Sequence, residues 1–149
     1  MNGVADHIEF AVRGFPVPQG STRAFVIKGR AHTTSDNPNL REWRELVRKV
    51  AQDHAPPALW TSPVSARLEF RLMRPASIPT HRGRGKKRHP VKYLPTKKPD
   101  LDKLVRAVFD ALTGIVWKDD SQVIEVLASK AYGVPGLTVR LGALRENGT

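Results

Sequence analysis

The sequence contains no cysteine. That excludes disulfides, cysteine-ligated zinc, iron–sulfur clusters and thiol nucleophiles. No uninterrupted apolar run approaches the roughly 18 residues a membrane span requires, so no membrane partner is expected. The opening MNGVADHIEF has no basic stretch followed by an apolar one; no secretory signal is expected, and the expected location is cytoplasmic. No internal repeat is visible. Acidic residues are few, 14 Asp and Glu against 25 Lys and Arg, for a net charge of +11 over 149 residues. A length of that order suits one domain with its own core, and the charge suits a polyanionic partner, most commonly nucleic acid. Charge by itself implies no chemistry.

Hydrophobic periodicity places the elements. Ile8, Phe10 and Val12 alternate with polar neighbours up to Gly14, which reads as a half-buried strand. Arg23 to Lys28, Gly29 and Arg30 to Thr34 read as a hairpin. Leu40, Trp43, Leu46, Val47, Val50 and Ala51 recur at spacings of three and four, the stripe of an amphipathic helix that ends at Ala55-Pro56-Pro57. Two starts compete for it: a capping pair Asn39 and Glu42, or Asn37 with Pro38 at the first helical position. Val64 to Met73 alternates as a strand whose polar face carries Arg67, Glu69 and Arg71. Leu101, Leu104, Val105, Val108, Ala111 and Leu112 form a second helical stripe that stops at Gly114. Gln122 to Tyr132 and Leu137 to Leu141 read as the last two strands. This order predicts an α+β fold, a small mixed sheet with two main helices packed on it, in a single domain over residues 1–149.

The oddest segment is a basic, Pro-rich loop at about 75–99. It has five prolines from Pro75 to Pro99 and eight cations from Arg82 to Lys98: Arg82, Arg84, Lys86, Lys87, Arg88, Lys92, Lys97 and Lys98. Between His81 and His89 no acidic residue dilutes them. A loop this long in a small domain is functional or disordered, and like charges at this density repel until a polyanion arrives. A solubilising loop is the plain alternative.

Asp100-Leu101-Asp102 opens the second helix directly after that loop, and Asp119-Asp120 opens the following strand. Aspartates at a helix start satisfy free N–H groups, and aspartates in turns are ordinary. Set beside phosphate-binding cations, they also suit metal-assisted phosphoryl chemistry. Other chemistries have weaker support. The five histidines are scattered without metal-ligand spacing. Gly83 and Gly85 lack the strand before and helix after that a nucleotide-phosphate loop needs. Ser21, Ser35 and Ser121 have no evident His–Asp partner. Trp43 belongs to the core, and Trp117 reads as a hydrophobic anchor or an interface residue.

Three pieces, Lys98-Pro99-Asp100-Leu101-Asp102-Lys103-Leu104, Asp110-Ala111-Leu112 and Asp119-Asp120-Ser121-Gln122-Val123, resemble in order and spacing the RusA family of bacterial and phage Holliday junction resolvases. The close match spans roughly residues 97–133. The resemblance implies a small RusA-like homodimer that binds four-way DNA junctions and makes symmetric paired nicks with a divalent metal. It implies Asp100, Asp102 and Asp120 as metal-binding catalytic carboxylates, with Asp119 ranked behind them as a further ligand. Mg²⁺, with Mn²⁺ as a substitute, is the expected cofactor, because oxygen ligands suit it. Arg82, Arg84, Lys86, Lys87, Arg88, Lys97 and Lys98 are the expected DNA-backbone contacts. Lys103 stands where the family has asparagine, and Arg106 where some members have lysine; both suit phosphate contact. A non-catalytic nucleic-acid-binding protein and a nuclease for forks or flaps are the competing readings.

Overall fold

A computed structural model of the protein describes residues 4–20, 23–34 and 38–146. Its main sheet has four strands: β1 (Val4–Arg13), β4 (Val64–Leu72), β7 (Val123–Tyr132) and β8 (Gly136–Leu144). Their spatial order is β1-β8-β4-β7. β8 runs antiparallel to both β1 and β4, while β4 and β7 are parallel. The sheet is therefore mixed, as expected. A hairpin of β2 (Arg23–Ile27) and β3 (Arg30–Thr34) stands apart from it. Its two-residue turn has positive φ at Lys28 and Gly29, 50° and 77°, the backbone that matches the twist of paired strands.

Two helices, α1 (Pro38–Gln52) and α2 (Leu101–Leu112), cover one face of the sheet. α1 begins at Pro38, the second of the two starts considered; Asn37, Ser21 and Ser35 lie outside the described residues. Leu40, Trp43, Val47 and Ala51 from α1 and Leu104, Ala107, Val108, Ala111 and Leu112 from α2 meet Phe10, Val64, Leu68, Phe70, Leu137 and Val139 in one core. The other sheet face is polar. There Arg140 donates to Glu9 at 3.1 Å and Arg67 pairs with Glu69 at 3.5 Å; in the open these pairs contribute little stability. Trp117 is wholly buried, edge-on to Phe109, and its Nε1 donates to Thr113 Oγ1 at 3.0 Å. It is an anchor of the core and offers no surface to a partner.

β4, the long connection and α2 lead into parallel β7 as a crossover. Parallel strands cannot be joined by a tight turn, so a covering helix returns the chain to the end of the sheet at which β4 began. The consequence for the site is geometric. α2 starts beside the carboxyl ends of β4 and β7, the usual place for ligands on a parallel pair. It ends beside their amino ends. Within the connection, His81–Arg82 (β5) pairs antiparallel with His89–Pro90 (β6) around a single 3-10 turn at Gly85–Lys87. The middle of the basic segment, residues 81–90, is thus a folded hairpin, while residues 91–99 carry no strand or helix. Among the described residues no helix is long and apolar enough to cross a membrane.

Candidate metal and nucleic-acid site

The carboxylates singled out by the sequence fall into two groups. Asp100 occupies the N-cap position of α2 with extended backbone angles, and its carbonyl accepts from Leu104 N at 3.1 Å. Its carboxylate makes no capping bond and instead pairs with Lys103 Nζ at 3.4 Å. The bond to a free N–H that an aspartate at a helix start can make is therefore absent. A neighbouring ammonium takes the carboxylate outward, and Asp102 is exposed in the first turn. Lys130 on β7 fastens the approach to this group, since its Nζ donates to the carbonyls of Lys97 and Pro99 at 2.9 Å each. Two carbonyls and one ammonium tie the end of the basic segment to the sheet, one residue before Asp100.

Asp119 and Asp120 form the second group, past the other end of α2. Asp119 caps a short 3-10 turn, Asp120–Gln122, in a complete capping box. Asp119 Oδ1 accepts from Ser121 N at 2.9 Å, and Gln122 Oε1 accepts from Asp119 N at 2.9 Å and Lys118 N at 3.1 Å. The other end of the same amide donates to the carbonyls of Trp60 at 2.7 Å and Ser62 at 3.1 Å, on the chain leading into β4. Gln122 thus clamps the acidic turn to the sheet. In the sequence Gln122 stands at the start of a strand and within a motif, whereas it closes the 3-10 turn and β7 starts at Val123; the signal for its role is a side chain with two donors and two acceptors placed three residues after a cap.

The electrostatics differ between the neighbours. The Ser121 N–H bond holds the Asp119 carboxyl below its ordinary range. Asp120 is pushed up, first by partial desolvation and then by the charges of Asp119 and of Asp110 on the last turn of α2. Asp110 is itself answered by Arg44 of α1 at 3.9 Å. An aspartate whose charge is disfavoured by two others is a place where a cation would be stabilising.

The two groups do not meet within one chain. α2 has twelve residues, about 18 Å at 1.5 Å per residue, and separates Asp100 and Asp102 from Asp119 and Asp120. Among the described residues no three His, Asp or Glu side chains come together as a metal-holding cluster. The donor chemistry suits Mg²⁺, with carboxylate oxygens throughout, yet each end supplies only part of a set.

The cations precede and follow the first group along the chain. Arg82, Arg84, Lys86, Lys87 and Arg88 are exposed on the β5–β6 hairpin, and Lys97 and Lys98 are exposed just before α2. Lys103 and Arg106 lie on the first two turns of α2, Lys103 held by Asp100. The site is open surface. An apolar cleft of about 450 Å³ between the end of β1 and α1, lined by Phe15, Trp43 and Leu46 among others, contains none of these residues. An extended polyanion needs a surface of this kind and a small substrate does not.

Known proteins bear on this arrangement in two ways. The chain is 35% identical over 127 residues to the uncharacterized protein YqaN of Bacillus subtilis (strain 168), covering 85% of this chain and 89% of that protein. A family model described as endodeoxyribonuclease RusA matches residues 14–142, a span that begins just after β1 and takes in β4, β7, most of β8, both helices, the basic hairpin and both acidic groups. With the motif order, the mixed sheet under two helices and this match in agreement, the chain belongs to the RusA family of endodeoxyribonucleases.

Proposed function

We propose that the protein cuts four-way DNA junctions with a divalent metal, as a homodimer, and that Asp100, Asp102 and Asp120 are its metal-binding carboxylates with Asp119 beside them. The observation that carries this reading is the placement of two acidic groups at the ends of α2, one of them directly following in the chain a basic segment with a folded cationic hairpin, in a chain of a DNA endonuclease family. Purely electrostatic binding of DNA gains nothing from carboxylates at the phosphate path. A divalent ion, Mg²⁺ or Mn²⁺, would supply charge against the negative charge that builds on the phosphate and make water a better nucleophile. The chain's own groups do the rest. Arg82, Arg84, Lys86, Lys87, Arg88, Lys97 and Lys98 hold the backbone, and Lys103 and Arg106 face the phosphates from α2. Gln122 keeps Asp119 and Asp120 in one orientation, and Lys130 does the same for the approach to Asp100.

The division of the carboxylates gives the homodimer a chemical motive. β7 is the edge strand of the sheet, and Ile124, Val126 and Leu127 on it are exposed by 63%, 43% and 59%. An unpaired edge bearing apolar side chains is a template for a further strand. Two copies of β7 paired antiparallel about a two-fold near Leu127 would lay the acidic entry (Asp119, Asp120, Glu125) of one against the basic exit (Lys130, with Lys97 and Lys98) of the other. Parallel pairing would set acid on acid. The antiparallel arrangement also carries Asp120 of one copy toward Asp100 and Asp102 of the second, which supports two complete sites related by symmetry, as paired nicks require.

The test is cleavage of a labelled four-way junction beside duplex and forked DNA, in Mg²⁺ and in EDTA, with wild type and Asp120→Asn. Paired, metal-dependent nicks on the junction that vanish in the variant, while binding persists, are expected. Equal cutting of forks would widen the substrate, and binding without cutting in Mg²⁺ or Mn²⁺ would overturn the enzyme.

A further inference from the structure

The β5–β6 hairpin is folded although its charge and exposure oppose folding. All ten residues from His81 to Pro90 are exposed, and none contributes to the core. Five of them are cations, Arg82, Arg84, Lys86, Lys87 and Arg88, whose mutual repulsion opposes a compact tip. Backbone geometry holds it instead. Lys87 N donates to Arg84 O at 3.0 Å and Arg88 N to Gly85 O at 3.1 Å. Val91 N donates to Thr80 O at 3.0 Å at the base, and His89 Nδ1 lies 3.0 Å from Lys87 O. Tyr93, beyond the hairpin, latches its stem: Arg82 Nε donates to the phenol oxygen at 2.8 Å and the guanidinium lies 5.8 Å from the ring centroid. Gly83 makes the turn possible. Its φ of +85° is a left-handed value, and a Cβ there would run into the Lys87 carbonyl.

We propose that this hairpin is a preorganised finger that selects branched over duplex DNA by its shape, through cations held at a fixed tip, and is more than a flexible polycationic tether. The proposal rests on the branched-DNA reading above and names the element responsible for its selectivity. A flexible basic segment follows any backbone, because counterion release depends on the number of phosphates neutralised and little on their arrangement. A fixed cluster is different. Its ordering and self-repulsion are met at folding, so binding does not pay for them again. The cluster gains most where phosphates are concentrated in three dimensions. A branch point, where the backbones of adjoining arms converge, offers more phosphates to one compact tip than the side of a duplex does.

Gly83→Ala separates shape from charge, since it leaves every cation in place. Binding of wild type, Gly83→Ala and Tyr93→Phe to a four-way junction and to duplex of equal length would be measured across a salt series, with thermal unfolding alongside. Gly83→Ala is expected to lower the junction-to-duplex affinity ratio by about tenfold, with duplex affinity, salt slope and unfolding temperature unchanged. Tyr93→Phe, which loses the Arg82 bond but keeps the ring, is expected to lower the ratio in the same direction and by less. A wild type that prefers junctions with a Gly83→Ala variant that keeps the full preference would overturn the finger alone. Parallel losses on junction and duplex would overturn it also. A wild type without junction preference would overturn both the finger and the branched-DNA reading.

Discussion

Replacing Gln122 with alanine tests whether the acidic turn is held by the clamp described above. The side chain makes four hydrogen bonds. The two N–H groups it accepts from, on Lys118 and Asp119, are exposed, so water replaces it there at a cost of about 0.5 kcal/mol each. The two bonds it donates, to Trp60 and Ser62, are part-buried, where a lost partner costs about 1 kcal/mol each. The total is about 3 kcal/mol, which for a domain of this size is about 6–12 °C in unfolding temperature. Urea and thermal denaturation of Gln122→Ala would measure it, with the denaturant slope unchanged if only stability is altered. Gln122→Glu is the sharper variant. A carboxylate cannot donate to the two carbonyls, and it adds a third negative charge to Asp119 and Asp120. Its loss should therefore exceed that of alanine at pH 7 and shrink as the new carboxyl protonates in acid. Junction cleavage should fall in both variants at temperatures where they remain folded, because the turn bearing Asp120 is no longer anchored. An unfolding temperature within error of wild type for Gln122→Ala would refute the clamp.

Three further outcomes follow from the site. Mixing two inactive proteins, Asp100→Asn/Asp102→Asn and Asp120→Asn, should restore nicking in Mg²⁺, since a mixed dimer about β7 holds one intact carboxylate set; no recovery after co-refolding would place each set within one chain. Asp120→Asn should stabilise the fold at neutral pH by up to about 1 kcal/mol after solvent screening. The carboxyl's folded pKa lies above its ordinary 3.8, so the native state holds the proton more tightly and stability is lost as pH rises from below 3.8 through the raised value. The gap between variant and wild type, read by urea denaturation, should be widest at pH 7 and close below pH 4, and a gap independent of pH would contradict the origin given for the shift. Lys130→Met should leave the carbonyls of Lys97 and Pro99 without their ammonium, lowering cleavage more than DNA binding; equal losses in both would make Lys130 a DNA contact and not a support for Asp100.

Much of the fold could be read from the chain because its causes are local. The stripe from Leu40 to Ala51 and that from Leu104 to Leu112 are helical periods, and the alternation from Val64 to Leu72 admits only a strand with one face buried. The motif around Asp100, Asp102, Asp119 and Asp120 was legible for a similar reason, as short-range spacing of scarce carboxylates in a basic chain. The strand order was not. Whether β7 lies at the edge of the sheet depends on which long-range pairings form, and Ile124, Val126 and Leu127 look in sequence like residues of any buried strand. Periodicity placed Asp100 and Asp102 at the start of the second helix and Asp119 and Asp120 beyond its end, but that this helix packs along the sheet as one straight spacer, holding the two groups apart, depends on its tertiary contacts. The basic segment shows the same limit in reverse. Its charge was evident in the sequence and left it a loop, functional or disordered, while backbone bonds around Gly83 and the Tyr93 latch give its tip a shape that charge does not carry. Residue types determined which chemistry this protein can hold, because donor atoms and charges belong to side chains. The tertiary structure decided which of those side chains share a place, because that depends on pairings between segments far apart in the chain.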